Sequence, residues 1–209
     1  FWADPGKQIV PKAWKGFSIE ELEGAVYEFT VQVMKALHSA GAAPTMVQVG
    51  NEITNGLLWP SGKKPNFDEI ARYINAGIRG VRAVDNAVDI MLHLDNGGFN
   101  SMYIEWFDNF IKSGENFQII GLSYYPFWHG TLDELSFNMK DMAGRYGKKI
   151  AVAEVSMGFS MDDYRVYEIP ADFFENIYNS SYGDSAVTEE SSQIASESKA
   201  FSREKAISY

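Results

Sequence analysis

At 209 residues the chain has room for one domain with a sizeable core, and an apolar share of 45% with 14% aromatics excludes disorder throughout. Eighteen basic against 28 acidic residues give a net charge of -10, the wrong sign for a nucleic-acid partner, and the absence of cysteine removes disulfides, thiolate metal sites and thiol catalysis. No apolar run approaches the length of a membrane span, so no membrane partner is expected.

The opening Phe1-Trp2-Ala3-Asp4-Pro5-Gly6 has neither a basic leader nor an apolar stretch, so no signal peptide is expected within the sequence. Ser18-Ile19-Glu20-Glu21 is a capping box, and Ile19, Leu22, Val26, Phe29, Val33 and Leu37 follow at steps of three or four until Gly41; the spacing predicts an amphipathic helix. Residues 45–50 form a Val-rich apolar run too short for a helix, read as a buried strand ending at Asn51-Glu52. Asn66, with Glu69 three residues on, opens a second helix with the stripe Phe67, Ile70, Ala71, Ile74, Ile78 and Val81. A strand over 88–94, a helix over 102–113 and a strand over 118–125 are expected next. Thr131-Leu132-Asp133-Glu134 is another capping box, its helix carries Leu135, Met139, Met142 and Tyr146 before Gly147, and 149–155 reads as the fourth strand. Nine serines among the 34 residues from Asn176, with no sustained apolar period, make 176–209 a tail expected to be disordered or marginally helical, behind an organised domain over 1–175. Asn179-Ser180-Ser181 matches a glycosylation acceptor, a pattern short enough to arise by chance.

Strand and helix thus alternate at about 30 to 40 residues per repeat, the length of a βα unit. Strands that are apolar without interruption are buried on both faces, which implies an α/β fold with a parallel sheet covered by helices. A doubly wound sheet would gather its site at one switch point, and no glycine-rich dinucleotide or phosphate motif is present. Asn51-Glu52, His93 with Asp95-Asn96, Tyr124-Tyr125 and Glu154 instead end four successive strands on one side, as the active-site rim of a (β/α)8 barrel requires.

Two glutamates at the ends of different buried strands are the sharpest chemical feature. A carboxylate there costs desolvation energy unless it is paired or used, and two across one pocket can cleave a glycosidic bond: one protonates the leaving oxygen, the other attacks the anomeric carbon or activates water. Asn51 can hydrogen-bond a sugar hydroxyl, and Tyr124 or Tyr125 can hold a carboxylate in place. Trp2, Trp59, Phe127 and Trp128 lie in loops beside these strand ends, where sugar-stacking platforms would be. His93 and Asp95 share a strand face and can line the pocket, but two such residues without a third ligand make a poor metal site, and none is expected.

Around these residues the sequence resembles glycoside hydrolase family 53, the arabinogalactan endo-β-1,4-galactanases. The matching segments are Phe1-Trp2-Ala3-Asp4-Pro5-Gly6-Lys7-Gln8, Val47-Gln48-Val49-Gly50-Asn51-Glu52-Ile53-Thr54-Asn55-Gly56, Leu92-His93-Leu94-Asp95-Asn96-Gly97-Gly98, and 120–130 with Ser123-Tyr124-Tyr125-Pro126-Phe127-Trp128. The resemblance implies a (β/α)8 barrel, with Glu52 on its fourth strand as general acid/base and Glu154 on its seventh as nucleophile. By the same resemblance Trp2, Asp4, Asn51, Asp95 and Trp128 line a galactan groove, to which the residue reading adds His93 and Tyr124 as substrate-binding candidates; the enzyme is expected to be secreted or periplasmic, and a monomer is expected. No organic cofactor is implied. Some members hold calcium in the loop after the seventh strand, but no clear acidic cluster stands at 160–168 and no calcium site is expected. Only strands 4 to 7 of the barrel are expected in this chain, so an inactive truncated barrel with weak galactan binding, and a sister glycosidase acting on another β-linked polysaccharide, remain alternatives.

Overall fold

The computed structural model describes residues 5–156. Four helices and four strands alternate in it: α1 Ile19–Ser39, β1 Met46–Gln48, α2 Phe67–Arg82, β2 Asp89–Leu94, α3 Asn100–Phe110, β3 Ile119–Tyr124, α4 Leu132–Tyr146 and β4 Lys149–Val155. All three strand pairings are parallel, in the order β1-β2-β3-β4. This is an incomplete (β/α)8 barrel. The anticipated tail, its glycosylation motif, the loop at 160–168, the domain limit at 175, and Trp2 and Asp4 lie outside the described residues.

Both capping boxes form. The Ser18 hydroxyl accepts from the Glu21 amide at 3.1 Å while the Ser18 amide donates to the Glu21 carboxylate at 2.7 Å, and Thr131 and Glu134 do the same at 3.2 and 2.6 Å. Asn66 does precede α2, but its amide donates to the Ser61 carbonyl at 3.1 Å; Asp68 and Glu69 supply the favourable charge in the first turn instead. Helix α3 begins two residues before the expected start and stops at Phe110.

The core lies between the sheet and α2, α3 and α4. Ile90, Leu92, Leu94, Ile120, Leu122 and Tyr124 fill one face of the sheet and meet Ile70, Ile74, Ile78 and Val81 of α2 and Trp106, Phe107 and Phe110 of α3. Trp106 stacks on Phe110 at a centroid distance of 5.2 Å and meets Phe107 edge-on at 4.9 Å. Much of the aromatic content is therefore structural. Alternation along the strands sends the other set of side chains, Met91, His93, Gly121 and Ser123, to the opposite face.

Burial departs from the expectation at the edges. Strands β2 and β3 are enclosed almost throughout, whereas β1 and β4 are largely intermediate or exposed, each having one strand neighbour among the described residues. The stripe of α1 divides likewise: Leu22 is buried, but Phe29, Val33 and Leu37 are exposed.

Candidate active site

Glu52 does not end a strand. It sits four residues past β1 in a left-handed conformation, φ 46 and ψ 52, rare for a residue with a side chain and held only where neighbours over-determine it. They do here. The Gln8 amide donates to the carbonyls of Asn51 at 2.7 Å and Glu52 at 3.3 Å, the Gln48 amide donates to the Gly50 carbonyl at 2.9 Å and to Asn51 Oδ1 at 3.0 Å, and the Trp106 indole donates to the Ile53 carbonyl at 3.1 Å. The Thr54 hydroxyl donates to the Asp95 carboxylate and accepts from the Asp95 amide at 3.1 Å, while the Tyr103 hydroxyl donates to the carbonyls of Leu94 and Asp95. Burial, with Asp95 and Glu52 nearby, pushes the Tyr103 hydroxyl well above its ordinary pKa, so it remains a donor.

The Glu52 carboxylate turns inward and accepts from the Ser123 hydroxyl at 2.6 Å. On its other side Ser123 Oγ lies 2.9 Å from His93 Nε2. His93 is fully buried, and desolvation lowers its proton affinity against the opposing pull of Glu154. Its Nδ1 has no hydrogen-bond partner and faces Glu154 Oε1 at 4.0 Å.

Glu154 owes its direction to an irregularity. Leu122 pairs with Val152 but Ser123 pairs with Glu154, so β4 carries one extra residue, Ala153. Without it, strict alternation would turn Glu154 to the helix-covered face; the bulge re-aims the carboxylate onto the face of Ser123 and His93. There the Tyr125 hydroxyl donates to Glu154 Oε2 at 2.8 Å, and burial together with that carboxylate pushes the Tyr125 pKa up to about 12.

Loops close the rim. Gly97 donates to the Ser123 carbonyl at 3.0 Å and Gly98 to the His129 carbonyl at 2.9 Å, an approach so near that a Cβ on Gly98 would meet the His129 oxygen at 2.3 Å. His129 Nδ1 lies 3.0 Å from the Ser123 carbonyl and 3.2 Å from the Tyr125 amide. Trp128 is 43% exposed with its ring 6.2 Å from that of Tyr125, so a flat apolar surface stands beside the acids.

Of the residues singled out from the sequence, Glu52, His93 and Glu154 converge: one donor atom from each lies within 4.8 Å of the others. His93 therefore works with the glutamates and not with Asp95. Three such donors could share a cation, but Ser123 engages an oxygen of Glu52 and faces His93 Nε2, and Tyr125 engages an oxygen of Glu154. The group is a hydrogen-bonded cluster in which each carboxylate has a hydroxyl donor. Tyr124 is in the core, its hydroxyl on the Gly130 carbonyl at 3.1 Å; Tyr125 is the tyrosine that reaches a carboxylate. Asp95 is buried and braces the Glu52 loop through Thr54. Trp59 lines a separate open groove of about 670 Å³ with Ile9, Trp14, Phe17 and Leu22, in which neither glutamate takes part. Ser123, Gln8 and Thr54 escaped the sequence reading, although Ser123 is the hydroxyl that follows the apolar run Ile119–Leu122 of β3 and its place on the strand face of His93 was available.

A parallel βα sheet that presents two carboxylates from the first and the last of its four strands across a few ångströms, beside an exposed tryptophan, is the architecture of the barrel glycoside hydrolases. The chain belongs to glycosyl hydrolase family 53, whose model matches residues 1–199. It is 46% identical over 169 residues to an uncharacterized protein of Niallia circulans, covering 77% of this chain and 46% of that one. To the endo-beta-1,4-galactanase of Bacillus subtilis it is 37% identical over 163 residues, covering 78% of this chain and 37% of the relative. The solved family 53 catalytic domain of Ignisphaera aggregans superposes with a TM-score of 0.74 at 42% identity, over 78% of this chain and 45% of that one. The chain thus spans less than half the length of each.

Proposed function

We propose that the chain carries the catalytic pair of a retaining endo-β-1,4-galactanase, with Glu52 as general acid/base and Glu154 as nucleophile. One observation carries the reading: an oxygen of each glutamate lies within 4.8 Å of the other. Retaining glycosidases keep their carboxyl groups about 5 to 5.5 Å apart, and inverting ones about 6.5 to 9.5 Å. Glu154, 36% exposed at its side chain and oriented by Tyr125, attacks the anomeric carbon as Glu52 gives its proton to the departing sugar oxygen. A glycosyl ester on Glu154 results. Glu52, now ionised, takes a proton from water, which attacks the same carbon and frees Glu154 with configuration retained. Trp128 offers a stacking face for a sugar ring, and Asn51 an amide at the acid/base loop. The galactanase relative favours β-1,4-linked galactan as substrate, and a secreted location goes with a polysaccharide substrate; among the described residues no helix is long and apolar enough to cross a membrane.

The test is incubation of the chain with linear β-1,4-galactan, xylan, mannan and β-glucan. Short galacto-oligosaccharides from galactan alone are expected; preference for another polymer would overturn the substrate, and release that survives Glu52→Ala or Glu154→Ala would overturn the roles. The exposure of β1 and β4 favours a second reading, binding without cleavage. Retardation in galactan gels with no product would establish it.

A further inference from the structure

Between the two glutamates runs a polar line: Glu52 Oε1, Ser123 Oγ at 2.6 Å and His93 Nε2 at 2.9 Å are joined by hydrogen bonds, and His93 Nδ1 faces Glu154 Oε1 at 4.0 Å without one. Ser123 and His93 lie at 0% exposure in this line, so water does not substitute for either partner. Ser123 has a single proton, which fixes the order of the whole line. When Glu52 is ionised, that proton points to Glu52, Nε2 must be the imidazole's N–H, and Nδ1 is a bare lone pair toward Glu154. With Glu52 protonated and donating to Ser123, the hydroxyl turns to Nε2, and the imidazole proton sits on Nδ1, facing the Glu154 carboxylate.

We propose, resting on the acid/base and nucleophile roles above, that Ser123 and His93 couple the two catalytic carboxylates as positioning residues, the His93 tautomer following the charge of Glu52 as Glu52 exchanges its proton with solvent. The protons balance. On ionisation of Glu52 in the free protein, its proton passes through Ser123 to Nε2 while the proton on Nδ1 leaves past Glu154 to solvent, so the imidazole keeps one proton and Glu52 loses one. In the resting order Nδ1–H stabilises the nucleophile as an anion. After Glu52 has given its proton to the departing sugar, the opposite order is reached by exchange with solvent: Glu52 takes up a solvent proton and one passes through Ser123 to Nε2 while Nδ1 releases its own past the esterified, uncharged Glu154, so that Nε2–H supports the ionised base through Ser123. One ring proton at a time thus serves whichever glutamate is charged.

The surroundings permit this. His93 lies beside Gly121, where a Cβ would lie 2.8 Å from Met91 Sδ and 3.4 Å from His93 Cβ, so the absence of a side chain there leaves Met91 and His93 their room. The ionisable groups facing the line are Glu154 with the Tyr125 hydroxyl from the β3–β4 side, His129 beneath the Ser123 carbonyl, and Asp95 with the Tyr103 hydroxyl at the end of β2. Burial disfavours the doubly protonated form of both His93 and His129 against the pull of Glu154, the direction that a ring carrying one proton requires.

The chain has three histidines, so nitrogen-15 NMR of histidine-labelled protein resolves each ring, and protonated and bare ring nitrogens are widely separated in shift. As pH rises through the Glu52 titration, followed by carbon-13 in the glutamate carboxyls with Glu52→Gln as the control, His93 is expected to pass from the Nδ1–H to the Nε2–H form. In Ser123→Ala the tautomer no longer follows Glu52, and the Glu52 titration moves up by about one pH unit because the ionised form has lost its hydroxyl donor. The His38 and His129 signals verify that this variant is folded. One tautomer throughout the wild-type titration, or a swap that persists in Ser123→Ala, would overturn the relay. Galactan cleavage is read on the same samples. Cleavage with an unchanging tautomer removes the relay and keeps the functional reading, whereas a swap with no cleavage removes the functional reading and keeps the relay.

Discussion

The two glutamates meet at one point but are seated in opposite ways. Glu52 is 9% exposed on a strained left-handed turn, fixed by Gln8, Gln48, Thr54 and the indole of Trp106, which reach it from the N-terminal segment, β1, the turn itself and α3. Glu154 lies in a strand with a single strand neighbour among the described residues, is more than a third exposed at its side chain, and is aimed by one inserted residue and held by one hydroxyl. The difference matches the proposed tasks. An acid that must hold and then recover a proton profits from an enclosed, over-determined seat; a nucleophile must stay open to the sugar carbon.

Removing either carboxylate should lower galactan cleavage by about 10⁴-fold or more, the scale of losing a residue of the catalytic unit. The seats separate with an aryl galactoside whose leaving group needs no proton. Glu52→Ala should then retain formation of the ester and stall at its hydrolysis, detectable as a burst, while Glu154→Ala shows no burst; equal behaviour would break the assignment. Trp106→Ala should destabilise by about 3 to 5 kcal/mol in urea melts, because it empties the aromatic core and frees the Ile53 carbonyl that anchors the Glu52 turn. The lighter seat predicts a lighter loss. Tyr125→Phe removes a donor to a carboxylate worth about 2 kcal/mol, so kcat/KM should fall about 30-fold and the acid limb of the pH profile should move upward. Since the Tyr125 pKa is raised to about 12, no alkaline limb below that should come from it. Trp128→Ala should raise KM a few-fold with kcat nearly kept, a loss of shared binding without loss of chemistry.

Stability against pH is the smallest expected effect. His93 and His129 are both shifted below 6.5 by burial, so between the unfolded value and the lower folded values the unfolded chain binds protons that the folded one does not. Folding stability should accordingly fall as pH drops through that window, by at most about 1.4 kcal/mol per pH unit per histidine, with none of this loss above it. His129→Gln should flatten the slope measured by urea melts between pH 7 and pH 5.

Much of this was legible in the sequence because it is local. Capping boxes, the α2 and α4 stripes and the apolar runs of β2 and β3 depend on neighbours three or four residues away, and both glutamates stood out as charges following such runs. What escaped depends on register and distant contact. The Ala153 bulge is a relation between β3 and β4 and leaves no mark in Ile150-Ala151-Val152-Ala153-Glu154 itself. The choice between Tyr124 and Tyr125 is one of strand parity, which sends the first into the core and the second to the acids. The left-handed turn at Glu52 is held by Gln8 from more than forty residues away, and Ser123 gained its meaning only when His93 and Glu52 were seen on either side of it.

The most direct test of the account is the anomeric configuration of the first product, followed by proton NMR as the chain begins to cleave linear β-1,4-galactan. Two carboxylates this close predict that the β-anomer appears first and only later equilibrates with the α-anomer. Initial appearance of the α-anomer would contradict the pairing of Glu52 and Glu154 as acid/base and nucleophile.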